Sequence, residues 1–181
     1  MDKPIVTMRF ALPADAEAIR LIQADGWLTT YTNSQIGLTS EMIRWHLEGA
    51  DGEKIAPRIE RIRSRILTAG PSFQDIVAIA NGVVVGYTTP VINDEGHRRV
   101  GALYVSMKGQ GIGSMLLEAN LKWHGSAQDV YLNVVAYNSG AIRFYRRHGF
   151  DMTGAEVHDD IAEIGNIVIP ELEMVHKAST K

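Results

Sequence analysis

Apolar positions alternate along Ile5–Ala11, putting Val6, Met8 and Phe10 on one face, and the alternation predicts a first strand. Pro13 and Asp15 then open a helix that turns Ala18, Ile19 and Ile22 inward, with Asp25-Gly26 expected to close it. Trp27–Gly37 has no clear period. Thr39 or Ser40 can cap a short helix carrying Met42, Ile43 and Leu47, broken at Ala50-Asp51-Gly52. Ile55, Ile59, Ile62 and Ile66 recur at helical spacing and predict an amphipathic helix. Beside them, Arg58, Arg61 and Arg65 form a stripe that reads as a solvated face or as a patch for an acidic partner. From Ser72 the pattern changes to strands: Phe73–Ala80, a turn at Asn81-Gly82, and a return strand Val83–Val91. A polar loop Asn93–Arg99 leads to an apolar strand Val100–Val105. Ile112, Leu116, Ala119 and Trp123 then repeat at helical spacing. Asp129–Val135 is another strand, and Asn138–His148 is a helix that Gly149 closes. Phe150–Val157 and Asn166–Val175 are the last strands, separated by an acidic loop around Asp159 and Asp160. This order predicts an α/β fold with a mixed sheet.

The stretch Lys108–Trp123 stands out because Gly109, Gly111 and Gly113 alternate between a strand and a helix start. Glycines let the backbone approach an anion closely. The first helical turn adds unpaired N–H groups and the positive end of the helix dipole. Three alternating glycines exceed what a tight turn needs, so the stretch is expected to hold a phosphate. It is not a P-loop, because Ser114 and Met115 follow Gly113 where Lys and Ser or Thr would stand. It is not a dinucleotide fingerprint either, because Ser114 takes the place of that motif's last glycine.

Composition narrows the class. The chain has 181 residues, the size of one domain, and 45% of them are hydrophobic, enough for a real core. A formal net charge of -3 argues against nucleic acid as a partner. There is no cysteine, so thiolate metal sites and a cysteine nucleophile are excluded. The histidines His46, His97, His124, His148, His158 and His176 are scattered, none paired at metal-ligand spacing, so no metal is expected. Met1–Phe10 carries Asp2 and Pro4 and lacks the apolar run of a secretory signal, and no stretch approaches a membrane span. A cytoplasmic protein without a membrane partner is the expectation.

Two blocks give the sequence a family likeness. Leu103-Tyr104-Val105 runs into Lys108-Gly109-Gln110-Gly111-Ile112-Gly113, and Leu132-Asn133-Val134-Val135 is followed by Asn138-Ser139-Gly140-Ala141, Phe144-Tyr145 and Gly149-Phe150. In this order and spacing they resemble the GNAT superfamily of acetyl-CoA-dependent N-acetyltransferases. The resemblance implies one GNAT-like domain over residues 1–181. Its sheet would be mixed but mostly antiparallel, with a central parallel strand pair splayed to hold CoA and helices on both faces. It implies acetyl-CoA as co-substrate and an amine as acceptor; a second copy of the chain is kept as a further partner.

Site roles follow from the same resemblance. Backbone N–H groups from Gln110 to Ser114 would hold the pyrophosphate, with Lys108 standing where the family usually has Arg or Gln. A lysine keeps the charge and loses the planar fork. Leu103, Tyr104 and Val105 would pair with the pantetheine arm like an added strand. Asn138 would bond that arm or cap its helix. Arg143, Arg146 and Arg147 would meet CoA phosphates or face solvent. Tyr145 would donate a proton to the leaving thiolate, or else pack in the core. Many relatives carry a glutamate base where Arg99 stands here, and His97 or Glu95 nearby could accept a proton instead. Trp27 and Tyr31, on the segment Trp27–Leu67, either line the acceptor site with Tyr87 to Thr89 and Asn93–His97, His97 among them, or form a packed connector. The rival readings are a non-catalytic acyl-CoA-binding regulatory domain and a nucleotide-binding module.

Overall fold

A computed structural model describes residues 4–157 and 163–179; the acidic loop at Asp159 and Asp160, with His158, lies outside them. Seven strands form one sheet in the order β1 (Val6–Phe10), β2 (Ile76–Ala80), β3 (Val83–Ile92), β4 (Arg98–Val105), β5 (Val130–Val135), β9 (Glu171–His176) and β6 (Phe150–Val157). Every neighbouring pair is antiparallel except β4–β5. Helices α1 (Ala16–Tyr31), α2 (Ser40–Glu48) and α3 (Ile55–Leu67) precede β2; α4 (Ile112–His124) and α5 (Ser139–Arg147) flank β5.

The two faces of the sheet are buried by different helices. On one face Ile19 and Ile22 of α1 and Ile62 and Ile66 of α3 pack on Val77 and Tyr87. On the other, Ile112 and Leu116 of α4 pack on Ala78 and Val85, and Leu117 packs with Val100, Leu132 and Phe150. Each fully buried Leu or Ile contributes about 1.5–3 kcal/mol of transfer free energy. The buried face of α4 runs through Ile112, Leu116, Leu117, Asn120 and His124, so Ala119 and Trp123 flank it rather than centre it as the spacing suggested. Of the two buried polar residues in that row, Asn120 donates from Nδ2 to Thr88 Oγ1 at 2.8 Å, with Thr88 donating to the Ala102 carbonyl at 2.7 Å, and His124 Nε2 lies 3.1 Å from the Arg99 carbonyl.

Four sequence expectations change. First, α1 runs through Asp25-Gly26 to Tyr31. Gly26 is in the helix because Tyr104 crosses it: a Cβ there would lie 2.3 Å from Cδ1 of that ring. Second, β4 begins at Arg98, not Val100, and Arg98 and Arg99 are the two residues that pair with Val130 and Tyr131 of β5. Third, the expected strand Asn166–Val175 is broken. Ile167–Val168 (β8) turns back on Glu163–Ile164 (β7), and Pro170, which has no N–H to give a ladder, separates it from β9. Fourth, the arginine stripe is partly spent inside the fold. Arg65 makes two 3.0 Å bonds to the buried Asp75, and Arg58 donates to the His46 carbonyl at 2.9 Å.

Candidate active site

Strands β4 and β5 leave their only parallel contact at Arg98 and Arg99, then separate. The gap between them opens at Leu103–Val105, where β4 is still held to β3 by the pairs Leu103↔Thr88, Tyr104↔Tyr87 and Val105↔Gly86. Ser106 N–H donates to the Val85 carbonyl at 2.9 Å, so the strand runs fully to its end before the chain turns. This separation creates a cavity of about 760 Å³.

The glycine turn forms one end of the cavity. Gly109 and Gly111 sit at φ 78° and 79°, a left-handed conformation that side chains disfavour, and a Cβ at either would meet nothing within 4 Å. Gly111 caps α4, and the first helical bond runs from Met115 N–H to the Gly111 carbonyl at 3.2 Å. The N–H groups of Ile112, Gly113 and Ser114 precede that bond and lack helical acceptors. Open space in front of three such groups, with Lys108 and Arg147 also lining the cavity, fits a pyrophosphate.

The structure brings together Leu103, Tyr104, Val105, Lys108, Gly109, Gly111, Ile112, Gly113, Ser114, Asn138 and Tyr145 around this one cavity; Gln110 is exposed outside the lining. Asn138 Oδ1 accepts from Ala141 N–H at 3.0 Å and caps α5, which leaves its amide N–H2 for another acceptor. Of the three α5 arginines, Arg147 lines the cavity, while Arg143 and Arg146 are exposed elsewhere. Burial pushes the Tyr145 phenol upward, with Tyr104 adding to the shift. The hydroxyl therefore stays protonated, the state a proton donor needs.

Trp27 and Tyr31 lie behind the cavity rather than in its lining. Trp27 is buried, stacked 4.6 Å from Tyr31 and 5.6 Å from His46. Tyr137 donates to the Tyr31 carbonyl at 2.9 Å, and Tyr137 and Tyr104 carry this aromatic cluster to the cavity wall. His97 lies apart, exposed, 3.3 Å from Glu95 and 6.3 Å from the Tyr131 ring. Arg99, which the sequence resemblance set against the family glutamate, bonds Asn133 and pairs with Glu173 at 3.3 Å. Two features escaped sequence reasoning. Asp25 is the only carboxylate lining the cavity among the described residues, and it was hidden by reading Asp25-Gly26 as a helix stop. The bond between Ser114 and His148 joins residues 34 apart in sequence, and no local pattern announces it.

The family model of the GNAT acetyltransferases matches residues 40–150, and the chain belongs to that family. It is an acetyltransferase. Solved structures share the fold at low identity. YncA of Salmonella typhimurium, with acetyl-CoA, is 21% identical with a TM-score of 0.67, over 97% of this chain and 95% of that one. The paia N-acetyltransferase of Thermoplasma acidophilum, in complex with coenzyme A, is 20% identical with a TM-score of 0.62, over 96% and 99%. A ribosomal-protein-alanine N-acetyltransferase of Brucella melitensis is 19% identical with a TM-score of 0.65, over 94% and 99%. Curated protein sequences give no match. Among the described residues no cluster of His, Cys, Asp and Glu could hold a metal, and no helix is long and apolar enough to cross a membrane.

Proposed function

We propose that this enzyme, a single catalytic domain working in the cytoplasm, moves the acetyl group of acetyl-CoA to a primary amine by direct attack. The acceptor is a small molecule or a peptide terminus. One observation carries the reading: a single cavity joins the glycine turn, the gap between β4 and β5, and Tyr145. The pyrophosphate would sit on the N–H groups of Ile112–Ser114, and the pantetheine arm would lie along Leu103–Val105. The amine nitrogen attacks the thioester carbon and the C–S bond breaks. The thiolate takes the Tyr145 proton, the new ammonium gives one to solvent, and the tyrosinate takes one back from solvent, restoring the phenol. Holding the two reactants together supplies much of the rate.

The acceptor would enter against α1. Asp25, Thr29, Thr30 and Thr32 line that wall, and a carboxylate in the same cavity as Lys108 and Arg147 suits an acceptor that arrives as an ammonium ion and gives its extra proton to solvent before it attacks. Trp27 and Tyr31 support this wall from behind.

Tyr145→Phe tests the chemistry. The ring stays and the donor goes, so kcat should fall by ~10²–10⁴, with acetyl-CoA affinity and melting temperature little altered. Equal losses in kcat and kcat/KM would place the interaction in the transition state. Turnover matching the parent across pH 6–9 would make Tyr145 a packing residue.

A further inference from the structure

His148 closes α5 and reaches across to the first turn of α4. Its Nδ1 lies 2.8 Å from the Phe144 carbonyl, and its Nε2 lies 3.0 Å from Ser114 Oγ. A carbonyl oxygen only accepts, so Nδ1 must carry the hydrogen. In the neutral ring Nε2 is then an acceptor, and the single hydroxyl hydrogen of Ser114 points at it. Ser114 is the third residue of α4 and lines the cavity beside Gly111 and Gly113. With its hydrogen committed to His148, the hydroxyl can show an entering phosphate only lone pairs. Oxygen facing anionic oxygen without a hydrogen between them is repulsive.

One proton removes the conflict. A protonated ring donates from Nε2 to Ser114 Oγ, and the hydroxyl hydrogen is released to the phosphate. The imidazolium also adds positive charge to the cradle. We infer that His148 is a positioning residue that takes up a proton from solvent when pyrophosphate binds, turning the Ser114 hydroxyl from a donor to histidine into a donor to phosphate. This rests on the phosphate cradle proposed above.

The groups around the ring fit the coupling. Arg147, the residue before it, and Lys108 line the same cavity as Ser114. Glu118, one turn beyond Ser114 on the same face of α4, is exposed. His176, on β9, lies against Gly149. The ring of Phe144, with its centroid 4.5 Å away, holds the imidazole in place whatever its charge.

Binding of dephospho-CoA, whose pyrophosphate does not ionise between pH 6 and 8, tests this by calorimetry in buffers of different ionisation enthalpy. The parent should take up a fraction of a proton on binding and bind about three- to tenfold tighter at pH 6 than at pH 8, the tightening linked to at most one proton. His148→Phe keeps the ring contact and frees Ser114 to donate at all pH values, so its affinity should be flat with pH and its proton uptake nil. Ser114→Ala should make the profile shallower than the parent's, leaving only the attraction between imidazolium and phosphate. Parent and His148→Phe with the same pH slope would overturn the inference while leaving the cradle standing. No binding of dephospho-CoA or acetyl-CoA by the folded parent would overturn the cradle itself, and the inference with it.

Discussion

At the scale of single residues, conformation and contact separate glycines that look alike in sequence. Gly109 and Gly111 are held at left-handed φ, whereas Gly113 is helical. A Cβ at Gly113 would sit 3.5 Å from the Phe144 ring, an ordinary contact. Gly111→Val would confound strain with steric blocking, so Gly113→Val is the cleaner probe of the cradle. Gly113 lines the cavity, so a branched side chain there should narrow it. Acetyl-CoA binding should weaken at least tenfold, or ~1.4 kcal/mol, with the melting temperature nearly kept. Unchanged affinity in the folded variant would remove the phosphate from this turn. Gly26 has a third role, the room it makes for Tyr104. A pattern rule reads a glycine in a helical stretch as a stop, and only the ring against it shows why the helix continues.

At the scale of elements, α3 is tied to the sheet by one buried carboxylate. Asp75, just before β2, is 1% exposed and receives Arg65 from α3 and the Thr89 hydroxyl from β3 at 2.5 Å. The two members of the Asp75–Arg65 pair are not equivalent. Removing Asp75 leaves Arg65, which already reaches solvent, whereas removing Arg65 strands a buried charge. Arg65→Ala should therefore cost ~3 kcal/mol, lowering the melting temperature by roughly 6–12 °C, and Asp75→Asn should cost less. Equal losses in thermal melts would show that packing, not the stranded charge, sets the cost. The stripe pattern located Arg65 on its helix but not its partner, which lies ten residues on in a different element. The same limit explains the other departures. Arg98 and Arg99 look like loop because charge masks a strand that pairs at only two positions. The pair β7 and β8 is too short for any period to register. Where periodicity was long, as in α3, α5, β3 and β5, pattern and structure agree to within a few residues.

At the scale of the whole molecule, the cradle and the α1 wall rest on different cores. The glycine turn is backed by the α4 clusters on one face of the sheet. The wall is backed on the other face by Trp27, Leu38, Ile43, Leu47, Val135, Ile164 and Ile169, which join α1 and α2 to β5 and to the β7–β8 segment. The cradle was legible in sequence because it is local: glycines, a strand and a helix start lie within a dozen residues. The segment Trp27–Leu67 was named from the sequence as a wall, but which of its side chains face the cavity was not legible, because the core that turns Trp27 inward is assembled from segments more than a hundred residues apart. The same division predicts how two neighbouring substitutions should differ. Trp27 is 7% exposed and faces the core, so Trp27→Ala should open a cavity costing ~3–5 kcal/mol and lower the melting temperature by at least about 6 °C. Acetyl-CoA affinity should survive in the fraction that remains folded. Asp25 lines the cavity, and Asp25→Asn removes a charge without changing shape. It should leave the melting temperature and acetyl-CoA affinity alone and raise the acceptor KM severalfold, more at low ionic strength than at high, because exposed charges are screened by salt. Thermal melts, calorimetry with acetyl-CoA and steady-state kinetics on the two variants check both expectations. If Asp25→Asn leaves the acceptor KM unchanged at every salt concentration, the amine does not approach along α1. If Trp27→Ala raises that KM without loss of stability, the indole itself touches the acceptor, and the aromatic stack opens toward the cavity when substrate binds.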